Sequence, residues 1–122
     1  MEVVREFKDR RGCVFEPVGA ELLGRQKNVH VALTQPGAIR GNHYHRYGTE
    51  IAIVVGPALV RFREDGQLRD SRVPEGEAHR FTIPVGVSHA FQNIGAAPTV
   101  LVAFSTEAFN AASPDVVVDE LI

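Results

Sequence analysis

Three of the five histidines lie in two short segments that also contain Gly, Pro, Glu and Asn. His43 and His45 are two residues apart, so on a strand both imidazoles point to the same face. The stretch between His45 and Glu50 contains Gly48 and predicts a turn that brings the Glu50 carboxylate back towards the two imidazoles. Imidazoles and a carboxylate together bind divalent transition metals. The spacing therefore indicates a metal site, although a His-x-His pair taken alone is more simply a surface pair.

The second segment supplies a further candidate ligand. Pro84 and Gly86 predict a turn that places His89 at the start of the following strand. The set then has three imidazoles and one carboxylate, which suits zinc, iron, manganese, cobalt or nickel. We predict a divalent transition metal at this site, zinc in the first place.

Short β-strands must position these side chains. Runs rich in Val, Ile, Phe and Thr, bounded by Gly and Pro, predict strands at residues 13–16, 29–35, 50–55, 58–64, 68–73, 80–83, 89–93 and 99–105. Asp65-Gly66 predicts a hairpin turn. Residues 106–112 predict a helical turn, and residues 115–122 a last strand or a docked tail. Many short strands are typical of an all-β sandwich or barrel, here one domain over residues 1–122.

The composition limits the classes of partner. The chain has 122 residues with a formal net charge of −2, which argues against nucleic-acid binding through bulk charge. No apolar run is long enough to cross a membrane, and the charged N-terminus contains no signal-peptide core. Cys13 is the single cysteine, so no internal disulfide can form, and we expect it to be a small buried apolar group. These features predict a cytoplasmic protein with neither a nucleic-acid nor a membrane partner.

The two histidine segments resemble the paired motifs of the cupins. The first motif is matched by Gly37, His43, His45, Glu50 and Gly56, with the last interval one residue short. The second motif is matched by Gly76, Pro84, Gly86, His89 and Asn93. The resemblance covers residues 37–93 and implies a small double-stranded β-helix, or jelly-roll barrel. It also implies that one metal is held by His43, His45, Glu50 and His89.

A closer resemblance covers most of the chain from Val29 onwards. The segments Arg40 to His45, Val60 to Arg63 and Phe109 to Asp115 are similar to the C-terminal cupin domain of bifunctional capsular-polysaccharide enzymes. Those enzymes epimerise a UDP-linked 4-keto sugar before a separate domain reduces it. The Arg-Gly-x-His element also resembles dTDP-4-dehydrorhamnose 3,5-epimerases and related keto-sugar isomerases. Because this sequence contains no reductase domain, the resemblance implies only the epimerase half-reaction, in a protein that forms a homodimer.

Epimerisation beside a ketone requires groups that remove and return a proton. An α-proton leaves, the enolate oxygen is stabilised, and a proton returns to the opposite face. The resemblance gives His43 two competing roles, as a metal ligand in cupins and as the general base in metal-free epimerases. We predict His43 and Tyr47 as catalytic groups, with Tyr44 less favoured. Either tyrosine could instead be a packed aromatic at the barrel rim.

Arginines are the expected partners of the diphosphate in a nucleotide sugar. Arg40 lies three residues before His43, while Arg61 and Arg63 project from one face of a strand. We predict all three as substrate-binding residues, the alternative for Arg61 and Arg63 being a solvated face. His30 is expected to be structural, and His79 to lie on the surface.

Two other functions remain open at this point. A cupin with the same ligands could bind a sugar or other small molecule without turning it over. It could also be an iron-dependent dioxygenase, since cupin ligands that leave open positions on iron also activate oxygen. The identity of the metal separates the dioxygenase from the other two, and deuterium incorporation into a keto sugar separates the epimerase from the binding protein.

Overall fold

The chain folds into two five-stranded antiparallel sheets that pack face to face, in a computed structural model that describes all 122 residues. The elements in chain order are β1 (Glu2–Val3), β2 (Phe7–Asp9), β3 (Gly12–Val14), α1 (Ala20–Leu23), β4 (Asn28–Thr34), β5 (Ile39–His45), β6 (Glu50–Val55), β7 (Ala58–Glu64), β8 (Gln67–Val73), β9 (Ala78–Ile83), β10 (Ser88–Asn93), β11 (Thr99–Ser105) and β12 (Val116–Val118). The predicted all-β fold is confirmed.

The strand order shows a jelly-roll arrangement. The first sheet has the order β1-β9-β6-β11-β4 and the second β12-β5-β10-β7-β8, while β2 and β3 form a separate hairpin. From β4 onwards the chain crosses to the other sheet at every connection except β7–β8. That hairpin turns at the predicted pair, Asp65 and Gly66, whose φ angles of 50° and 76° fit a tight two-residue turn. The crossings place residues that are distant in sequence on facing strands.

Two apolar clusters hold the sheets in place. One fills the space between the sheets and includes Val60, Phe81 and Phe91. The other lies on the outer side of the first sheet, where the N-terminal segment contributes Val4 and Val18. Strand β6 is apolar from its second residue to its end and is covered on both sides, as its uninterrupted apolar run predicts. Glu50, the first residue of β6, is therefore held at a fixed depth in the barrel.

The helical turn predicted at residues 106–112 is wrong. Within this segment Asn110 Oδ1 accepts the N–H of Ala112 at 3.0 Å, and the Asn110 carbonyl accepts the N–H of Ser113 at 3.2 Å. Such local bonds from an Asn compete with helix formation. The single α-helix is the four-residue α1, which was not predicted from the sequence. No helix is long and apolar enough to span a membrane.

Two predictions about burial are also wrong. Cys13 is exposed, because it lies on the β2–β3 hairpin, which pairs with neither sheet. His79 is only 4% exposed, because strand alternation turns it inwards with Phe81 on β9. Neither ring nitrogen of His79 has a hydrogen-bond partner.

Candidate active site

The four predicted ligands converge between the two sheets. His43 and His45 come from β5, His89 from β10 and Glu50 from β6 in the facing sheet. Since β5 pairs with β10, His43 lies directly opposite His89. The turn before β6 brings in Glu50, and the candidate ligand atoms all lie within 4.8 Å of one another.

The geometry of this cluster fits a transition-metal ion. Glu50 Oε2 lies 2.7 Å from His45 Nε2, and Glu50 Oε1 lies 3.8 Å from His89 Nε2. His89 Nε2 is buried and has no hydrogen-bond partner, which is unusual for a buried polar atom. Two ligands bonded to one zinc ion are at most roughly 4.2 Å apart, close to the span observed. The three imidazoles and the carboxylate therefore form a suitable donor set.

The electrostatics favour the unprotonated forms of three candidate ligands, His43, His89 and Glu50. Burial, together with the nearby His89 and His45, lowers the pKa of His43 to about 4. Burial also lowers the pKa of His89. For Glu50 burial acts to raise the pKa, but the hydrogen bond from His45 and the charges of the histidines lower it below its usual range. Metal binding requires these unprotonated forms.

Acceptors on the far side of the imidazoles fix their orientation. His89 Nδ1 lies 3.0 Å from the Val87 carbonyl, and His45 Nδ1 lies 3.3 Å from Asp115 Oδ2. Asp115 also accepts the backbone N–H of Tyr47 at 2.7 Å and of Gly48 at 3.1 Å. Although burial opposes a charge on His45, Glu50 and Asp115 together raise its pKa. Such outer contacts orient metal ligands, and this role of Asp115 was not predicted from the sequence.

A bulge in β5 directs two of the predicted site residues into the barrel. Gly41 and Asn42 both have positive φ angles, 86° and 57°. A Cβ atom on Gly41 would lie 2.7 Å from the His89 carbonyl oxygen, so only glycine fits there. The bulge shifts the register so that Arg40 lies opposite Phe91 while His43 lies opposite His89. Arg40 and His43, three residues apart, consequently both face inwards.

These side chains line a cavity of about 570 Å³. The inner face of the first sheet contributes Asn28, His30, Ala32, Leu101 and Ser105, and the segment after β11 contributes Glu107 to Asn110. Arg40 donates from Nη2 to the Leu33 carbonyl at 2.8 Å and from Nε to Thr34 Oγ1 at 3.4 Å. Its Nη1 makes no bond within the chain, so a fixed positive charge faces the cavity with free donors.

The other predicted site residues lie elsewhere. The Tyr47 ring is 64% exposed, packs beside the Arg46 guanidinium and does not line the cavity. Arg61 is paired with Asp70, and Arg63 with Asp119, outside the cavity. The structure therefore brings together Arg40 and the four candidate ligands, but not Tyr47, Arg61 or Arg63.

Comparison with known proteins gives a family and a fold. Residues 7–117 match the family model described as polysaccharide biosynthesis C-terminal domain. The capsular polysaccharide assembling protein CapF from Staphylococcus aureus superposes with a TM-score of 0.72 and 26% identity, over 97% of this chain and 34% of that chain. The sugar 3,4-ketoisomerase QdtA from Thermoanaerobacterium thermosaccharolyticum, in complex with TDP, has a TM-score of 0.72 and 14% identity, over 95% of this chain and 84% of that chain.

An epimerase has the same fold, and a curated relative adds a further likeness. The dTDP-4-dehydrorhamnose 3,5-epimerase from Sulfolobus tokodaii superposes with a TM-score of 0.67 and 22% identity, over 88% of this chain and 69% of that chain. An oxalate decarboxylase from Arthroderma benhamiae is 35% identical over 95 residues, which are 77% of this chain and 21% of the relative. The chain thus spans about a third of CapF and a fifth of the decarboxylase. These structural likenesses confirm the predicted double-stranded β-helix of the cupins.

Proposed function

We propose a function for this chain from one premise: it belongs to the polysaccharide biosynthesis C-terminal domain family, whose model its residues 7–117 match. Its fold is shared with sugar-nucleotide epimerases and isomerases. We infer that it is a metal-dependent epimerase or isomerase of a nucleotide-linked keto sugar in polysaccharide biosynthesis. The observation that carries this proposal is the convergence of His43, His45, Glu50 and His89 beside a cavity that Arg40 also lines.

The four converging side chains would hold the metal, zinc in the first place. Such an ion supplies Lewis acidity that lowers the energy of an enolate formed beside the substrate ketone. We assign His43 to the ligand set, since its ring centroid lies 5.0 Å from that of His45 and 4.8 Å from that of His89. In that role its lone pair is occupied, so His43 is not the base that removes the proton.

The cavity has features that suit a nucleotide sugar. Its volume of about 570 Å³ is in the range of sites for ligands of that size, roughly 300–1,000 Å³. Arg40 is the one arginine or lysine that lines it, and a guanidinium binds phosphate oxygens through paired N–H donors. Phe109, 78% exposed at the mouth, offers an aromatic face to a nucleoside base. We propose that Arg40 holds the diphosphate and Phe109 the base.

Hydrogen exchange at the substrate carbon tests this function. The zinc-loaded protein is incubated in heavy water with UDP- and dTDP-linked 4-keto sugars, and deuterium is located by NMR. We expect incorporation at the carbon next to the ketone, because epimerisation must break that C–H bond. The absence of incorporation with every such sugar, at full metal occupancy, would overturn the proposal in favour of a binding protein. Iron in the protein as purified would instead favour the dioxygenase.

We also propose that the chain forms a homodimer. The outer face of β4 exposes Val29, Val31 and Leu33, which are 54%, 63% and 66% exposed. Contiguous exposed apolar side chains are typical of interaction surfaces. Light scattering should give a dimer for the native chain and a monomer for Leu33→Lys, and a monomeric native chain would contradict the prediction.

A further inference from the structure

We propose that His30 and Glu107 form the acid–base pair that moves the proton in this reaction, an inference that rests on the function proposed above. Seven titratable side chains line the cavity: His30, Arg40, His43, His45, Glu50, Glu107 and Asp115. Epimerisation needs one group to take a proton and another to give one. Most members of this set already have another role.

Five of the seven are excluded by their contacts or chemistry. His43, His45 and Glu50 belong to the candidate metal cluster. Asp115 is engaged by the N–H groups of Tyr47 and Gly48 and lies beside His45 Nδ1. The Arg40 guanidinium is the group that we assign to the diphosphate.

The remaining two side chains are free to meet a substrate. His30 is exposed, its backbone is paired with Ala103 of β11, and its ring makes no hydrogen bond within the chain. Glu107 is exposed as well; its backbone N–H donates to Ser105 Oγ at 3.1 Å, and its carboxylate makes no hydrogen bond or ion pair. Both therefore present an unpartnered group to the cavity.

Within the first sheet, one intervening strand separates His30 from Glu50 of the metal cluster. Along one row of the first sheet, His30 lies opposite Ala103, and Ala103 lies opposite Ala52 of β6. Glu50 is on β6, two strands from His30, which separates their backbones by roughly 10 Å.

Glu107 enters the cavity from a different wall. A Cβ atom on Gly48 would lie 3.1 Å from Glu107 Cγ, which places Glu107 beside the turn that joins His45 to Glu50. His30 comes from the inner face of edge strand β4, whereas Glu107 follows Ser105, which pairs with Asn28, so the chain beyond Ser105 runs in the direction away from His30. Proton removal from one face of a carbon and return to the other requires groups on separate walls, and this pair provides them.

The proton transfers balance without a redox partner. The Glu107 carboxylate takes the α-proton, and the C–H electron pair moves into the ketone to form the enolate. The His30 imidazolium then donates its N–H proton to the opposite face of the same carbon, and the ketone re-forms. Glu107 and His30 regain their starting states by exchange with water, through the open mouth of the cavity.

Two nearly isosteric variants test the pair: Glu107→Gln and His30→Asn, both as zinc-loaded full chains with keto sugar in heavy water. We expect epimer formation to fall at least about 100-fold in each, with unchanged zinc content. Glu107→Gln should also lose deuterium incorporation, whereas His30→Asn should keep it without inversion. Glu64→Gln, on β7 and outside the cavity, is the matched control.

The outcomes distinguish this inference from the proposed function. If the native chain incorporates deuterium and either variant forms epimer within threefold of the native rate, the pair is wrong and the function stands. If the native chain incorporates none with any sugar, the function fails and the pair fails with it. Loss of inversion with retained zinc in both variants supports the pair.

Discussion

The two ends of the cavity are built in different ways. Its floor is formed by the four candidate ligands His43, His45, Glu50 and His89, on strands that are hydrogen-bonded to neighbours on both sides. Its rim is formed by residues 106–115, which join β11 to β12 without regular structure and are mostly exposed. Strands fix donor atoms closely, while loops vary and select what is bound. We infer that the floor holds the metal and that the rim contacts the substrate.

The largest effect should follow from removing a ligand at the floor. His89→Ala takes away one imidazole from a fully buried position, so we expect bound metal to fall below about a tenth of the native content. Elemental analysis measures the metal, and far-UV circular dichroism should still show β-structure.

His79→Ala is the matched control, because His79 is also a buried histidine but lies outside the ligand cluster. Its metal content should equal that of the native chain. Native metal content in His89→Ala would remove His89 from the ligand set.

The second effect concerns the β5 bulge between Arg40 and His43, where β5 pairs with β10. In Gly41→Ala the new Cβ would clash with the His89 carbonyl at 2.7 Å in a backbone with a φ of 86°. We expect a loss of about 3 kcal/mol in the free energy of unfolding, measured by urea denaturation of the metal-free protein.

Gly37→Ala provides the comparison for this variant. Gly37 has a similar φ of 79°, but a Cβ atom on it would meet no other atom within 4 Å, so only backbone strain should appear, about 1 kcal/mol. Equal losses in the two variants would show that the close approach to β10 does not constrain Gly41.

The floor could be predicted from sequence because its signals are local. Alternation along a strand places His43 and His45 on one side, and a turn of four residues returns Glu50. The same rule placed Arg61 and Arg63 on a common face. Alternation alone does not show which face of β7 is the outer one. The outer face carries Arg61 and Arg63 because Val60 and Phe62 pack towards the other sheet.

The residues that reach the cavity from the rim and from β4 depend on pairings between distant segments. Asp115 reaches His45 because β12 pairs with β5, and His30 reaches the cavity because β4 pairs with β11. Neither pairing has a local signal in the sequence. Tyr47 is close to the ligands along the chain, but the turn that contains it carries its ring outwards onto Arg46.

A substitution of Asp115 tests whether a rim residue also contributes to metal binding at the floor. Asp115→Asn keeps the size of the side chain but removes the charge beside His45 Nδ1, 3.3 Å away. Loss of such an outer contact typically weakens metal binding by about 10- to 100-fold, and we expect a Kd increase in this range from competition with a chelator. Asp70→Asn, which affects an exposed ion pair with Arg61, should leave the Kd unchanged. If both variants bind metal as the native chain does, the floor is independent of the rim.

The smallest expected effect tests most directly whether nucleotide binding by the rim is independent of metal binding by the floor. Phe109→Ala removes the exposed aromatic at the mouth, and loss of one stacked base costs about 1–3 kcal/mol, so the Kd for UDP or dTDP should rise at least about fivefold. Calorimetric titration measures this, and zinc content should not change. Phe7→Ala, which truncates another exposed phenylalanine far from the cavity lining, is the control. Equal nucleotide affinity in the two variants would mean that the rim does not hold the nucleoside. The division between a floor that holds the metal and a rim that contacts the nucleotide would then be wrong, whatever metal the floor binds.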